Sequence, residues 1–221
     1  MYAAARLARD IGADAVIQLG DAWSVNLPNL DTPPFHVVRG NHELWQLWAK
    51  GQFGKNIIGH LDYTTFKLDK VKFGVIGGID DTPKGRDLME MGLDLGQAHD
   101  EIWFKRLEGQ QVRDALGGSA VLLTHDAPFP FVLGHRPLPQ MPGYKGAGEV
   151  VRTEVVGSDY LNEVIRTIEP QYHFHGHMHL LDIRYVARTR VYGLPPIDPI
   201  FQRRGYATLD TETMRVQYVD L

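Results

Sequence analysis

Apolar runs that each end in a short polar block constrain this chain more than any other feature. Residues 15–19 run into Gly20-Asp21, residues 35–38 into Gly40-Asn41-His42-Glu43, residues 120–123 into Thr124-His125-Asp126, and residues 172–175 into Gly176-His177-Met178-His179. Each run reads as a buried strand. Its block then sits at the strand's carboxyl end, where open α/β sheets place their ligands.

Helical patterns separate these strands. Ala4, Leu7, Ala8 and Ile11 recur at helical spacing before Gly12, a natural C-cap. Residues 42–50 read as a short helix carrying Trp45 and Trp48, and residues 98–116 as a longer one. Ser158 can cap a helix whose buried stripe is Leu161, Val164, Ile165 and Ile168, and Pro170 ends it. Residues 64–68 and 72–76 flank Asp69-Lys70 as a hairpin, and residues 182–187, 206–209 and 215–219 read as antiparallel strands. Residues 128–157, rich in Pro and Gly without a period, read as one long loop. Alternating strands and helices indicate an α/β fold, and 221 residues suit one domain over 1–221.

Composition limits the chemistry. With no cysteine, disulfides and thiolate metal sites are excluded, so any metal must be held by His, Asp, Glu or Asn. The net charge of −4 gives no general attraction to nucleic acid or anionic membrane. No secretory leader and no membrane-length apolar run is visible, so a cytoplasmic protein is expected.

The order and spacing of the blocks resemble the calcineurin-like metallophosphoesterases, whose motifs run Asp-X-His, Gly-Asp, Gly-Asn-His-Glu or Asp, His, and Gly-His-X-His. The resemblance implies a four-layer α/β/β/α sandwich and hydrolysis of a phosphomonoester or phosphodiester by metal-activated water. In such sites two ions about 3.5–4 Å apart activate water and neutralise phosphoryl oxygens. By resemblance Asp21 bridges the ions, and Asp21, Asn41, His125 and His177 complete one metal position, while His179 goes to the other. His42 would protonate the leaving oxygen, a task its titration range suits. Mn²⁺, Fe or Zn²⁺ all accept these ligands. On the residues alone, Asp21 also fits a turn, and His42 a helix start bonded to Glu43.

The Asp-X-His motif of the family does not appear before residues 3–11, which match the helix that follows it. The expectation is a natural start upstream of Met1 that supplies a strand and Asp-X-His. Completion by another segment or a partner chain, or a reduced site with one ion, stays open. Two rival functions follow: a nucleic-acid phosphodiesterase or nuclease, which would need a basic groove, and a non-catalytic binding module with a degenerate metal pair. His175 reads as a structural group, and His36, His60, His99 and His173 as core or surface residues. Asp80 or Asp81 closes a glycine turn near the site, and Phe129, Phe131, His135, Arg136 and Tyr144 line a pocket or pack as core.

Overall fold

A parallel strand is buried on both faces and so needs an unbroken apolar run. Phe-His-Val-Val and Val-Leu-Leu-Thr are apolar but for His36 and Thr124, and every residue of both segments is buried. The computed structural model describes residues 2–21, 33–41, 56–80, 103–133, 154–197 and 204–221. In chain order the elements are α1 (Tyr2–Asp10), β1 (Val16–Leu19), β2 (Phe35–Val38), β3 (Ile57–His60), β4 (Thr64–Leu68) and β5 (Val71–Ile76). Then come α2 (Gly109–Leu116), β6 (Val121–Thr124), β7 (Phe131–Leu133), β8 (Glu154–Val156), α3 (Asp159–Ile168) and β9 (Tyr172–His175). The chain finishes with β10 (Asp182–Val186), β11 (Thr189–Gly193), β12 (Gly205–Asp210) and β13 (Arg215–Asp220).

Two sheets carry the fold. β1, β2 and β3 form a parallel three-stranded sheet with Val16 beside Phe35 and Phe35 beside Ile57. The six-stranded sheet has the order β10-β11-β9-β6-β5-β4, parallel from β11 through β5 and antiparallel at each edge. Phe73, Val75, Val121, Leu123, Phe174 and Tyr192 form the inner face of the larger sheet, and Val38, Ile17 and Leu19 pack there from the smaller one, as do Ala207, Leu209 and Val216 of the β12–β13 hairpin. On the opposite face Val112, Leu116, Leu161, Val164 and Ile165 bring α2 and α3 down onto Ile76, Leu122 and Val191. Each such side chain contributes roughly 1.5–3 kcal/mol on full burial. α1 packs against β1 with Ala5 and Ala8 buried, so the layers run helix, sheet, sheet, helix. Among the described residues no helix is long and apolar enough to cross a membrane.

Local signals set the α3 boundaries. The Ser158 side chain accepts from the Leu161 N–H, and Glu169, at φ 45, closes the helix with its N–H on the Ile165 carbonyl. Three sequence expectations change. The helix expected over 98–116 begins only at Gly109, because Trp103 bridges to Ile79, the Phe104 N–H bonds the Ile79 carbonyl and the Phe104 ring is buried. Tertiary pairing there overrides local propensity; residues 98–102 lie outside the described residues. The long loop over 128–157 is closed at its base by the β7–β8 hairpin, with Phe131 opposite Val156. β3 and β11 have no counterpart among the expected strands, and β11 is the strand that β10 pairs with. The short helix expected over 42–50 and the residues His99, His135, Arg136, Tyr144 and Asp81 fall outside the described residues.

Two histidines stand between the sheets. His36 Nδ1 lies 2.9 Å from His60 Nε2, and both rings stack on Phe66, which stacks in turn on Phe73. Burial lowers the pKa of His36, and burial followed by repulsion from His36 lowers that of His60 to about 4. The unfolded chain, with histidines near 6.5, therefore binds more protons than the folded one between that value and about 4. Stability from this pair is full above the unfolded pKa and is lost as pH falls through the folded one. Urea unfolding at neutral pH and near pH 4.5 should show a loss on the order of a few kcal/mol, and the His60→Phe variant should lose less. An equal loss in both proteins would remove the pair from the account.

Candidate metal centre

The glycines of the polar blocks let strand ends from the two sheets approach closely. Gly20 has φ 90, and a Cβ there would collide with the His125 ring and lie 2.8 Å from the Gly40 Cα. A Cβ on Gly40 would overlap the backbone nitrogen and the carboxylate of Asp21. The chain then places Asp21 at φ 53 and His177 at φ 54, left-handed positions that Asp and His tolerate better than most residues. The Met178 N–H bonds the Gly176 carbonyl at 2.6 Å, a tight turn with His177 at its centre.

His125, 1% exposed, organises the site. Its Nδ1 lies 2.7 Å from the Leu19 carbonyl oxygen, which can only accept, so Nδ1 carries the proton. The Nε2 lone pair then faces Asn41 Oδ1 at 2.7 Å and Asp21 Oδ1 at 3.5 Å. The His177 ring centroid is 4.9 Å from that of His125, and one ligand atom from each of Asp21, His125 and His177 lies within 4.8 Å of the others. A nitrogen placed between an amide oxygen and a carboxylate is satisfied either by a proton or by a metal cation in the shared space. Ligands on one ion stand about 3–4 Å apart when metal bonds are about 2.0–2.2 Å, so these donors are near coordinating separation. Oxygen and imidazole donors suit a divalent transition ion.

The structure thus brings together Asp21, Asn41, His125 and His177 of the expected set. His179, at φ 54, is exposed and is not part of this cluster, and His42 lies outside the described residues.

Supporting groups were not legible in the sequence. The Arg39 side chain, 4% exposed, donates to Asp62 at 2.7 Å and to the Gly77 carbonyl at 3.2 Å, while the Gly78 N–H bonds the Arg39 carbonyl at 2.6 Å. This clamp holds the segment just before Asn41 against the end of β5. Asp126, next to His125, accepts from the N–H groups of Asp80 and Ala127, and burial pushes its carboxyl up to about 7. Asp80 is itself buried, gripped by both Arg106 Nε and Nη2 at 2.9 and 2.8 Å and by the Ser158 hydroxyl. Only the glycine turn at 77–78 hinted at this network. His175 is fully buried, its ring edge-on to Phe131, and His173 is buried with Nε2 2.7 Å from Thr124 Oγ1.

A family model described as calcineurin-like phosphoesterase matches residues 2–181. The crystal structure of TT1561 of Thermus thermophilus is similar, with a TM-score of 0.53 and 14% identity over 98% of this chain and 90% of that one. A further solved structure aligns with a TM-score of 0.52 and 16% identity, covering 85% of this chain and 66% of its own length. At these identities the structural likeness is one of fold. No curated protein matches the sequence.

The close approach at Gly40 gives a direct expectation. Gly40→Ala should weaken divalent-ion binding roughly 10–100-fold, as loss of ligand-orienting contacts does elsewhere, with the fold retained. Isothermal titration with Mn²⁺, beside a circular dichroism spectrum, reads both quantities, and unchanged affinity would show that the contact with Asp21 does not matter.

Proposed function

The chain belongs to the calcineurin-like phosphoesterase family, and from that premise we propose that it hydrolyses phosphate esters with a divalent metal held by Asp21, Asn41, His125 and His177. The observation that carries this reading is the convergence of the Asp21 carboxylate, the Asn41 amide oxygen and the His125 Nε2 lone pair on one point, with His177 beside them.

When bound, divalent ions at such a site lower the pKa of a water and neutralise phosphoryl oxygens. The residues of the chain supply the rest. Asp21 contributes the one carboxylate of the cluster and Asn41 a neutral oxygen, so the set leaves net positive charge for an anionic ester. The Leu19 carbonyl keeps His125 in the tautomer that presents Nε2. The buried Arg39 guanidinium, paired with the partly exposed Asp62, fixes the backbone that carries Asn41. His42 follows Asn41 directly, and we assign it the proton delivered to the leaving oxygen. His179, with Asp21, is assigned to a second ion.

Elemental analysis after dialysis should find bound divalent metal, and His177→Ala should lose both metal and turnover of nitrophenyl phosphate mono- and diesters in Mn²⁺. Absence of metal at any pH where histidine is neutral would remove the proposal. His42→Ala should keep its metal and lose turnover, by about 10²–10⁴-fold for alkoxide leaving groups and by less for nitrophenolate. Equal losses would assign His42 a positioning role instead.

A further inference from the structure

β10 is an edge strand of the six-stranded sheet, and among the described residues it pairs with β11 alone. The β10–β11 hairpin turns through Ala187 and Arg188, with Ala187 at φ 52 and Val186 opposite Thr189. In an antiparallel ladder, pairs that exchange both backbone hydrogen bonds alternate with pairs that exchange none. Counted from the tight turn, Val186, Arg184 and Asp182 bond inward to β11. Tyr185 and Ile183 therefore present their N–H and C=O groups to the free edge.

The same two residues carry exposed apolar side chains. Ile183 is 44% and Tyr185 67% exposed, and Leu181, two residues before Ile183, is 38% exposed. Ile183 and Tyr185 point to the side of the sheet that carries Tyr192, which is Ile183's partner in the register and belongs to the core between the sheets. Natural edges are usually protected by charged side chains, lysine above all, by proline or by a bulge, and β10 has charge only at Asp182 and Arg184, which pair with each other. β10, with the sequence Asp-Ile-Arg-Tyr-Val, has no lysine or proline and pairs with β11 in unbroken register.

We propose that β10 pairs antiparallel with β10 of a second copy of this chain, about a two-fold axis at Ile183. The strand is chemically self-complementary around that residue. Ile183 meets the partner's Ile183, Leu181 meets the partner's Tyr185, and Asp182 meets the partner's Arg184, with every contact repeated by symmetry. The pairs at Ile183 and Leu181 fall on residues whose backbone groups face outward, so they form the hydrogen-bonded rungs. Asp182 and Arg184 fall on the closer, non-bonded rungs, where opposite charges favour pairing. Within one chain Arg184 Nε lies 2.9 Å from Asp182 Oδ2, yet neither buried atom makes a well-formed hydrogen bond. The Arg184 guanidinium also donates to the Pro128 carbonyl and lies over the Phe131 ring, so a partner would meet only the exposed parts of the Asp182 and Arg184 side chains, which are 24% and 22% exposed. The same register directs the partner's Ala187–Arg188 turn toward the segment that carries His179.

Sedimentation velocity of the full chain over a wide concentration range should show a monomer–dimer equilibrium. Ile183→Lys, at an exposed position, puts two ammonium groups face to face and should raise the dissociation constant roughly tenfold or more. Asp182→Arg and Arg184→Asp should each be monomeric alone and associate when mixed, since each then offers the charge the other lacks. Recovery on mixing distinguishes pairing across the axis from the ion pair inside one chain. A monomer at every concentration, or a dimer that both Ile183→Lys and Tyr185→Lys leave intact, overturns the proposal, and those two variants decide it even if the charge reversals misfold.

Discussion

The hydrogen bond from the His125 ring to the Leu19 carbonyl is the constraint from which the rest of the site follows. Leu19 ends a strand of the smaller sheet and His125 follows a strand of the larger, so this contact joins the sheets at their carboxyl ends. It also decides which imidazole nitrogen keeps its lone pair. Close approach is possible because Gly20 and Gly176 have no side chain at the crossing, where a Cβ would meet the His125 ring and the Leu19 carbonyl. The chemistry of the ligands and the bare backbone beside them are therefore one requirement rather than two.

Buried charge supports this arrangement from outside the cluster. Arg39 and Asp62 are an ion pair in which the guanidinium also reaches backbone carbonyls, so the desolvation of both charges is partly offset. Asp80 directs its carboxylate to Arg106 and to the Ser158 hydroxyl, while its backbone N–H holds Asp126. One network thus ties the end of β5, the residue after His125 and the first turn of α3. Removing a single member would strand a buried polar group, which costs more than the net worth of the bond it made.

What the sequence made legible was whatever repeats along it. β2, β6 and β9, the hairpin of β4 and β5, and the Ser158 cap of α3 were readable because apolar runs, turn residues and capping side chains act locally. β11 stays hidden although Thr189, Val191 and Tyr192 favour a strand, because it follows β10 through a tight turn without glycine at its centre. Residues 103–108 look helical because Trp103, Phe104 and Leu107 fit a helical stripe, whereas the decisive partner, Ile79, lies far away in the chain. The same distance hid the role of Arg39, whereas the glycine turn had placed Asp80 near the site. Among site residues, Asp21, Asn41, His125 and His177 were readable from their blocks, but their convergence required both sheets.

Because Asp21 and Asn41 belong to one sheet and His125 and His177 to the other, an ion bound among them would be a fastener between two halves of the molecule. Its binding free energy would then enter the folding equilibrium directly, since the separated halves could not offer the same ligands. A chelator in the buffer would act as a mild denaturant of this protein, and the stability measured for it would depend on the free metal concentration as much as on temperature.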